Sequence, residues 1–165
     1  GTVGSTTGST TGIITGAKLL YPNGLVQHAG VGFDLQGNPY HLWELASSDF
    51  QEVNIPCPVA AVTFAYVIIP RKIWLSLGGL DEGYRNGYED LDFCLRERQA
   101  GYLVWYEPEL TAVHLVSQSA GRFQFENENK ARFNQRWVAN GAIFKTLMVY
   151  VTKASFSLTN PFKRF

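Results

Sequence analysis

Tyr88-Glu89-Asp90-Leu91-Asp92-Phe93-Cys94-Leu95-Arg96 sets three carboxylates within four positions at the start of an amphipathic pattern. From Glu89 onward, Leu91, Cys94 and Leu95 recur at the three-and-four spacing that keeps one helical face dry. The spacing predicts a helix over 89–100, closed by Gly101 as a left-handed cap. Acids in a first turn are favoured by free backbone N–H groups and by the positive end of the helix dipole. Helix capping alone therefore accounts for a carboxylate at this place. The flanks add a second reading. Gly83, Gly87, Tyr84 and Tyr88 allow close backbone approach and aromatic stacking around the acids. A like-charge cluster beside a ligand cleft also raises the pKa of one member towards that of a general base.

Outward from this helix, the chain alternates strand and helix patterns. Ile13 to Tyr21 reads as a strand and Pro22-Asn23-Gly24 as a tight turn. Leu25 to Phe33 then returns as the partner of a hairpin. Asp34 to Pro56 reads as an irregular loop anchored by Trp43 and Leu45. Val59 to Ile69, rich in β-branched residues and aromatics, reads as a central strand. Arg71 to Leu77 makes two helical turns ended by Gly78-Gly79. Beyond the acidic helix, short strands are expected at Tyr102 to Tyr106 and Leu110 to Val116, separated by Glu107-Pro108-Glu109. A helix over 126–138 carries Phe125, Phe133 and Trp137 on one stripe. A last helix over 142–157 carries Ile143, Phe144, Leu147, Met148, Val151 and Ala154. The pattern predicts an α/β, α+β-leaning layer domain: a mixed sheet with flanking helices. Residues 1–11, a small and polar low-complexity run, read as a flexible arm or linker, and 12–165 as the domain with its C-terminal helices.

Composition bounds the function. The 165 residues suffice for one domain with a core, and 45% hydrophobic with 14% aromatic residues describes a globular chain. Fourteen basic and fourteen acidic residues cancel, so the electrostatic footprint of a nucleic-acid binder is missing. Cys57 and Cys94 are expected as reduced thiols, since Cys94 falls on the apolar helix face. No signal peptide is read at the N-terminus. The longest apolar run, Pro58 to Ile69, falls short of the roughly 20 residues that a bilayer span needs. The expected location is the cytoplasm, with the inner membrane face as its variant.

An ordered series of motifs carries a family resemblance. Gly16 to Gly24, Gln27-His28-Ala29-Gly30, Ala61 to Ala65, Pro70-Arg71, Gly78-Gly79-Leu80-Asp81-Glu82, Tyr88 to Asp92, Leu95-Arg96, Gly101-Tyr102, Pro108, Val113-His114 and Phe133 to Trp137 occur in sequence. The series, over residues 12–138, resembles the C-terminal, acceptor-side half of a family 2, GT-A-type inverting glycosyltransferase of the rhamnosyltransferase-like kind. The resemblance implies transfer of a sugar from a nucleotide-sugar to an acceptor hydroxyl. Asp90 matches that family's general base, with Glu89 orienting or tuning it. Asp92, Asp81, Glu82 and Tyr88 fall where the acceptor is held, although helix or turn capping explains Asp92, Asp81 and Glu82 equally well. His114 matches a histidine that helps hold a divalent metal, Mn²⁺ or Mg²⁺, expected only in the complete enzyme. Its alternative is a packed strand histidine, because a lone imidazole is no metal signature. Arg71 stands where a diphosphate is within reach, although an Arg after Pro at a helix start is equally an ordinary solvated residue, and His28 reads as structural.

The departures also carry expectations. No βαβ repeat and no acidic D-x-D element stand before the hairpin, so the nucleotide-binding half is expected to be missing and the chain to be a fragment inactive alone. Thr63-Phe64-Ala65 replaces a smaller glycine and narrows the donor side. Partners expected are a saccharide or glycan acceptor, a nucleotide-sugar only with the missing half, and self-association or a partner chain over the uncovered edge. Two other classes stand beside transfer. One is a non-catalytic carbohydrate-binding or protein-interaction module derived from such an enzyme. The other is a metal-dependent hydrolase on Glu89, Asp90, Asp92 and His114, which the shortage of imidazoles disfavours.

Overall fold

The computed structural model describes residues 12–115 and 123–147. The arm read over 1–11, the end of the strand at Val116, and Met148, Val151 and Ala154 of the last expected helix lie outside the described residues. The architecture is mixed α/β. A five-stranded mixed sheet of β1 (Ile13–Leu20), β2 (Val26–His28), β5 (Cys57–Pro58), β6 (Val67–Ile68) and β7 (Leu103–Val113) is flanked by helices. Its order is β2-β1-β7-β5, with β6 also pairing β1. A separate ribbon joins β3 (Val31–Phe33) to β4 (Pro39–His41). The helices are α1 (Arg71–Ser76), α2 (Glu89–Gln99) and α3 (Glu126–Phe133), the last continued by a π-helical turn, Asn134–Val138. Residues 142–147 are again helical. Among the described residues no helix is long and apolar enough to cross a membrane.

Two local expectations hold closely. The helix occupies Glu89–Gln99 and is followed by Gly101 at φ +89°. The turn at 22–24 closes by hydrogen bonds from Gly24 N–H to Tyr21 O and from Tyr21 N–H to Leu25 O, both 2.9 Å. Buried Phe93, Cys94 and Leu95 of α2 join Ile14 and Val104 of the sheet in the core. Both cysteines are free thiols.

Other elements differ from their sequence reading. The return strand of the hairpin is broken. Val26 to His28 pair with β1, but Gly30 adopts φ +102° and the chain leaves to form the β3–β4 ribbon. A side chain at Gly30 would meet Val59 Cγ1 at 2.6 Å, so glycine serves both the left-handed turn and the close approach.

Val59 to Ile69 is no central strand. Within it only Val67–Ile68 (β6) form a strand of the sheet, β5 stands just before it, Val59 N–H donates to Val104 O and Tyr66 O accepts from Ala17 N–H, and the middle crosses over β1 where Gly16 leaves room for Val62. A Cβ on Gly16 would lie 2.5 Å from Val62 Cβ. The N–H groups of this middle are satisfied outside a ladder: Thr63 N–H donates to His28 Nε2 and Phe64 N–H to Asp90 Oδ2, each at 3.4 Å. Hydrophobicity shows that such a run is buried, whereas its hydrogen-bond partners decide whether it is a strand.

The central pair is instead β1 with β7, in parallel register from Ile13↔Leu103 to Leu20↔Val113. The two strands expected around Glu107-Pro108-Glu109 are one strand with a bulge. Ala17 pairs Glu107 and the next residue, Lys18, pairs Thr111. Pro108 has no N–H to give the ladder, so the interruption falls there.

The loop over 34–56 contains β4 and a 3-10 turn, Gln51–Asn54. Trp43 and Leu45 do not anchor it: they are 46% and 63% exposed and both have positive φ. The anchor is Val53, fully buried, whose carbonyl accepts the Tyr106 hydroxyl at 2.8 Å. On the helix expected over 126–138, Phe133 and Trp137 are buried as read, and the π-helical turn closes with Ala139 N–H donating to Asn134 O.

Candidate functional site

A cleft of about 350 Å³ opens between the β3–β4 ribbon, the segment before α2 and the start of α3. Asp90, Tyr88, Thr63, His41, Tyr40 and Asn129 are among its lining residues. Tyr88 takes φ +70° at the residue before α2, following Asn86 at φ +54° and Gly87. This left-handed run is clamped from α3. Asn129 accepts the Arg85 N–H at 3.0 Å and donates to the Arg85 carbonyl at 2.8 Å. The Tyr88 ring rests against Phe133, centroids 5.3 Å apart. The loop thus owes its shape to a helix some forty residues later.

The three carboxylates of the acidic cluster have different surroundings. Asp90 faces the cleft, half-buried. Its Oδ1 accepts the N–H of Leu91 at 2.8 Å, Oδ2 the N–H of Phe64 at 3.4 Å, and the Thr63 side chain adds a further hydrogen bond. Burial, followed by the charge of Glu89, pushes the Asp90 pKa up to about 6 against the pull of these donors. A carboxylate so placed is ionised at neutral pH yet basic enough to take a proton. Glu89 does not line the cleft. Its Oε2 accepts the N–H of Gly87 at 2.5 Å, so it fixes the loop backbone while acting on Asp90 through charge.

Asp92 is fully buried and lies outside the cleft. Its oxygens accept Arg96 Nε at 2.8 Å and Trp137 Nε1 at 2.9 Å, with Arg136 Nη1 at 3.1 Å. Arg96 in turn donates to the carbonyls of Leu77 and Gly79. This carboxylate knits α2 to the end of α1 and to the π-helical turn, and it is not among the residues that line the cleft. Asp81 also serves the framework. It accepts two hydrogen bonds from Arg132 at 2.9 Å, one from Arg136 at 3.1 Å and one from the N–H of Gly83. Arg132 leads in holding its pKa below the usual carboxylate value. Glu82 is exposed and, like Arg71, does not line the cleft. Of the residues read from sequence, the structure brings Asp90 and Tyr88 together at the cleft, with Glu89 behind them.

His114 is not among the cleft-lining residues, and its Nδ1 lies 2.8 Å from Gln27 Oε1. The amide oxygen can only accept, so Nδ1 carries a proton, and in the neutral tautomer this leaves the lone pair on Nε2. A metal-binding imidazole is oriented in this manner. Among the described residues, however, no three histidine, cysteine, aspartate or glutamate side chains converge to hold an ion. The donor set among the described residues does not fit a metal centre, and the hydrolase cluster of Glu89, Asp90, Asp92 and His114 is not assembled.

His28, read as structural, is indeed buried, but it is not isolated. Its Nδ1 lies 2.9 Å from Nδ1 of His41, and its Nε2 receives the Thr63 N–H. Burial first, then the neighbouring His41 and His114, lower its pKa to about 3. Sequence reasoning missed His41, Thr63 and Asn129 as site residues. His41 falls in a stretch read as irregular, and nothing local marks an asparagine that clamps a loop from afar.

In comparisons with known proteins, no family model matches the chain. The chain is similar to the uncharacterized protein y4gI of Sinorhizobium fredii (strain NBRC 101917 / NGR234), 36% identical over 125 residues, or 73% of this chain and 14% of that protein. It is also similar to the O-antigen biosynthesis protein RfbC of Myxococcus xanthus, 35% identical over 109 residues, or 63% of this chain and 8% of that protein. The chain therefore spans about a seventh and about a twelfth of the lengths of these two relatives.

Proposed function

We propose that the chain is a glycosyltransferase-like unit whose cleft holds an acceptor saccharide against Asp90. The observation that carries this reading is the partition of the acidic cluster. Asp92 is consumed by the framework, Glu89 is tied to backbone, and only Asp90 presents a carboxylate with raised pKa to an open, tyrosine-walled cleft. Inverting transfer needs one such group. The acceptor hydroxyl loses its proton to Asp90 as its oxygen bonds to the anomeric carbon and the nucleoside diphosphate leaves from the opposite side. Similarity to a protein named for O-antigen biosynthesis supports saccharide chemistry. The finer assignment to family 2, GT-A type, rests on the motif series of the sequence. A divalent metal and the nucleotide-sugar belong to this proposal as ligands completed by groups other than those lining the cleft.

Asp90→Asn tests the reading. In a protein that transfers sugar, the variant should lose turnover by about 10²-fold or more, the lower end of general-base contributions, while still binding acceptor. Retained turnover sinks the role given to Asp90. The tyrosine walls serve a non-catalytic carbohydrate-binding module equally well. Acceptor binding indifferent to Asp90→Asn, without any transfer by the parent protein, selects that second reading.

A further inference from the structure

Tyr40 of β4 is 52% exposed and lines the cleft that Asp90 faces. A tyrosine so exposed is ordinarily free to change rotamer, but this ring has a seat. Gly32 is its partner across the β3–β4 ribbon, and a Cβ on Gly32 would lie 2.6 Å from Tyr40 Cζ and 2.7 Å from its hydroxyl oxygen. The outer end of the ring therefore lies over the glycine backbone. Gly32 is not among the residues of positive φ, so its missing side chain serves the close approach of the ring and not the backbone conformation. The next residue, Phe33, stacks on buried Phe133, with centroids 6.0 Å and planes 11° apart. Phe133 in turn supports Tyr88 at 5.3 Å. One buried ring thus spaces the ribbon that carries Tyr40 from the loop that leads into Asp90.

We propose that Tyr40 is a ligand-binding residue of the cleft, a seated aromatic platform for the apolar C–H face of a pyranose ring whose hydroxyl is offered to Asp90. The proposal rests on the saccharide reading above and adds which surface of the ligand is recognised. The face of an aromatic ring is its electronegative side, and the slightly positive C–H bonds of a pyranose pack on it. A ring already held in one rotamer loses less entropy when the ligand arrives. Asp90 and Glu126 share the lining of the cleft. Carboxylates accept hydrogen bonds from sugar hydroxyls and repel a diphosphate, which favours an acceptor sugar over a nucleotide base as the stacked ring. Shielding a cross-strand glycine is the other service such a tyrosine performs, and it stabilises the ribbon without touching a ligand.

NMR titration of the 165-residue chain with a panel of methyl pyranosides tests the platform. Ring protons of the bound pyranoside should move upfield under the Tyr40 ring current. The amides of Phe64 and Leu91, both hydrogen-bonded to Asp90, should shift in parallel. Tyr40→Ala should abolish the upfield movement and weaken binding about 3- to 10-fold, the worth of one aromatic contact, whereas Tyr40→Phe should retain both. Gly32→Ala should lift the ring and weaken binding to a similar degree, yet add nothing in the Tyr40→Ala background. Equal pyranoside affinity in Tyr40→Ala, with Phe64 and Leu91 still shifting, overturns the platform and leaves the saccharide reading intact. A loss of stability with unchanged binding in that variant does the same, and assigns the ring to shielding Gly32. No response of any cleft amide to any pyranoside overturns both readings, and binding of uridine diphosphate that requires Tyr40 would then name a nucleotide as the occupant.

Discussion

Trp137 Nε1–H donates to Asp92 Oδ1 at 2.9 Å, joining residues 45 positions apart inside the core. Arg96 and Arg136 complete the shell around the same carboxylate. A buried anion with three donors is costly to create and more costly to break, because removing it strands the cations. Asp92→Ala should accordingly destabilise the fold by about 3–5 kcal/mol, measured by urea denaturation. A loss below about 1 kcal/mol would sink the framework role and return Asp92 to the list of ligand-binding candidates.

Asp90, two residues away, should behave in the opposite manner. Its folded pKa, raised from 3.8 to about 6, means that the native state holds the proton more tightly than the unfolded chain. Its contribution to stability is therefore greatest at low pH and declines as pH rises between these values. Asp90→Asn removes that penalty and should stabilise the chain by about 1–2 kcal/mol above pH 7, with little change near pH 4. Denaturation at both pH values gives the comparison. If transfer is assayed, kcat/KM of the parent should fall on the acid side with an apparent pKa near 6.

Glu97 supplies a third test, independent of function. It is fully buried in α2, approaches the Ile14 backbone without closing a well-formed hydrogen bond, and burial pushes its pKa from 4.5 to about 9. The group is protonated in the fold at neutral pH, and its penalty grows as pH rises from 4.5 to about 9. Glu97→Gln should leave stability near pH 4 unchanged and raise the melting temperature increasingly towards pH 9. A constant increment across that range contradicts a buried acid that titrates late.

Gly30 offers a backbone test. At φ +102°, with Val59 Cγ1 only 2.6 Å from where a Cβ would stand, Gly30→Ala meets both strain and a clash. A loss of about 2 kcal/mol or more is expected, along with displacement of the β3–β4 ribbon and of His41. Amide shifts confined to residues 29–31 would show that the ribbon does not depend on this turn.

Much of the local structure was legible because its causes are local. The helix over 89–99 announces itself by apolar spacing, first-turn acids and a following glycine, all within a dozen residues. The turn at Pro22-Asn23-Gly24 and the short helix stopped by Gly78-Gly79 are likewise set by nearest neighbours. Asp90 stood out within its motif, and Tyr88 beside it. The sequence through Ala29-Gly30 predicts a continuous return strand after Gly24, whereas the break depends on Val59 crossing close by.

What the sequence determined by itself is therefore the mixed α/β character, the acidic helix and the position of one carboxylate worth following. The tertiary structure alone decided how the three acids differ. Trp137, Arg96 and Arg136 converge on Asp92, and Phe64 and Thr63 on Asp90, from segments that carry no local mark of that convergence. It also decided that the apolar run over 59–69 crosses the sheet instead of entering it, and that His28 finds His41. The physical reason is common to all of these. Burial and propensity are written in neighbouring side chains, whereas the partner of a buried polar group is chosen by distant segments only when they pack.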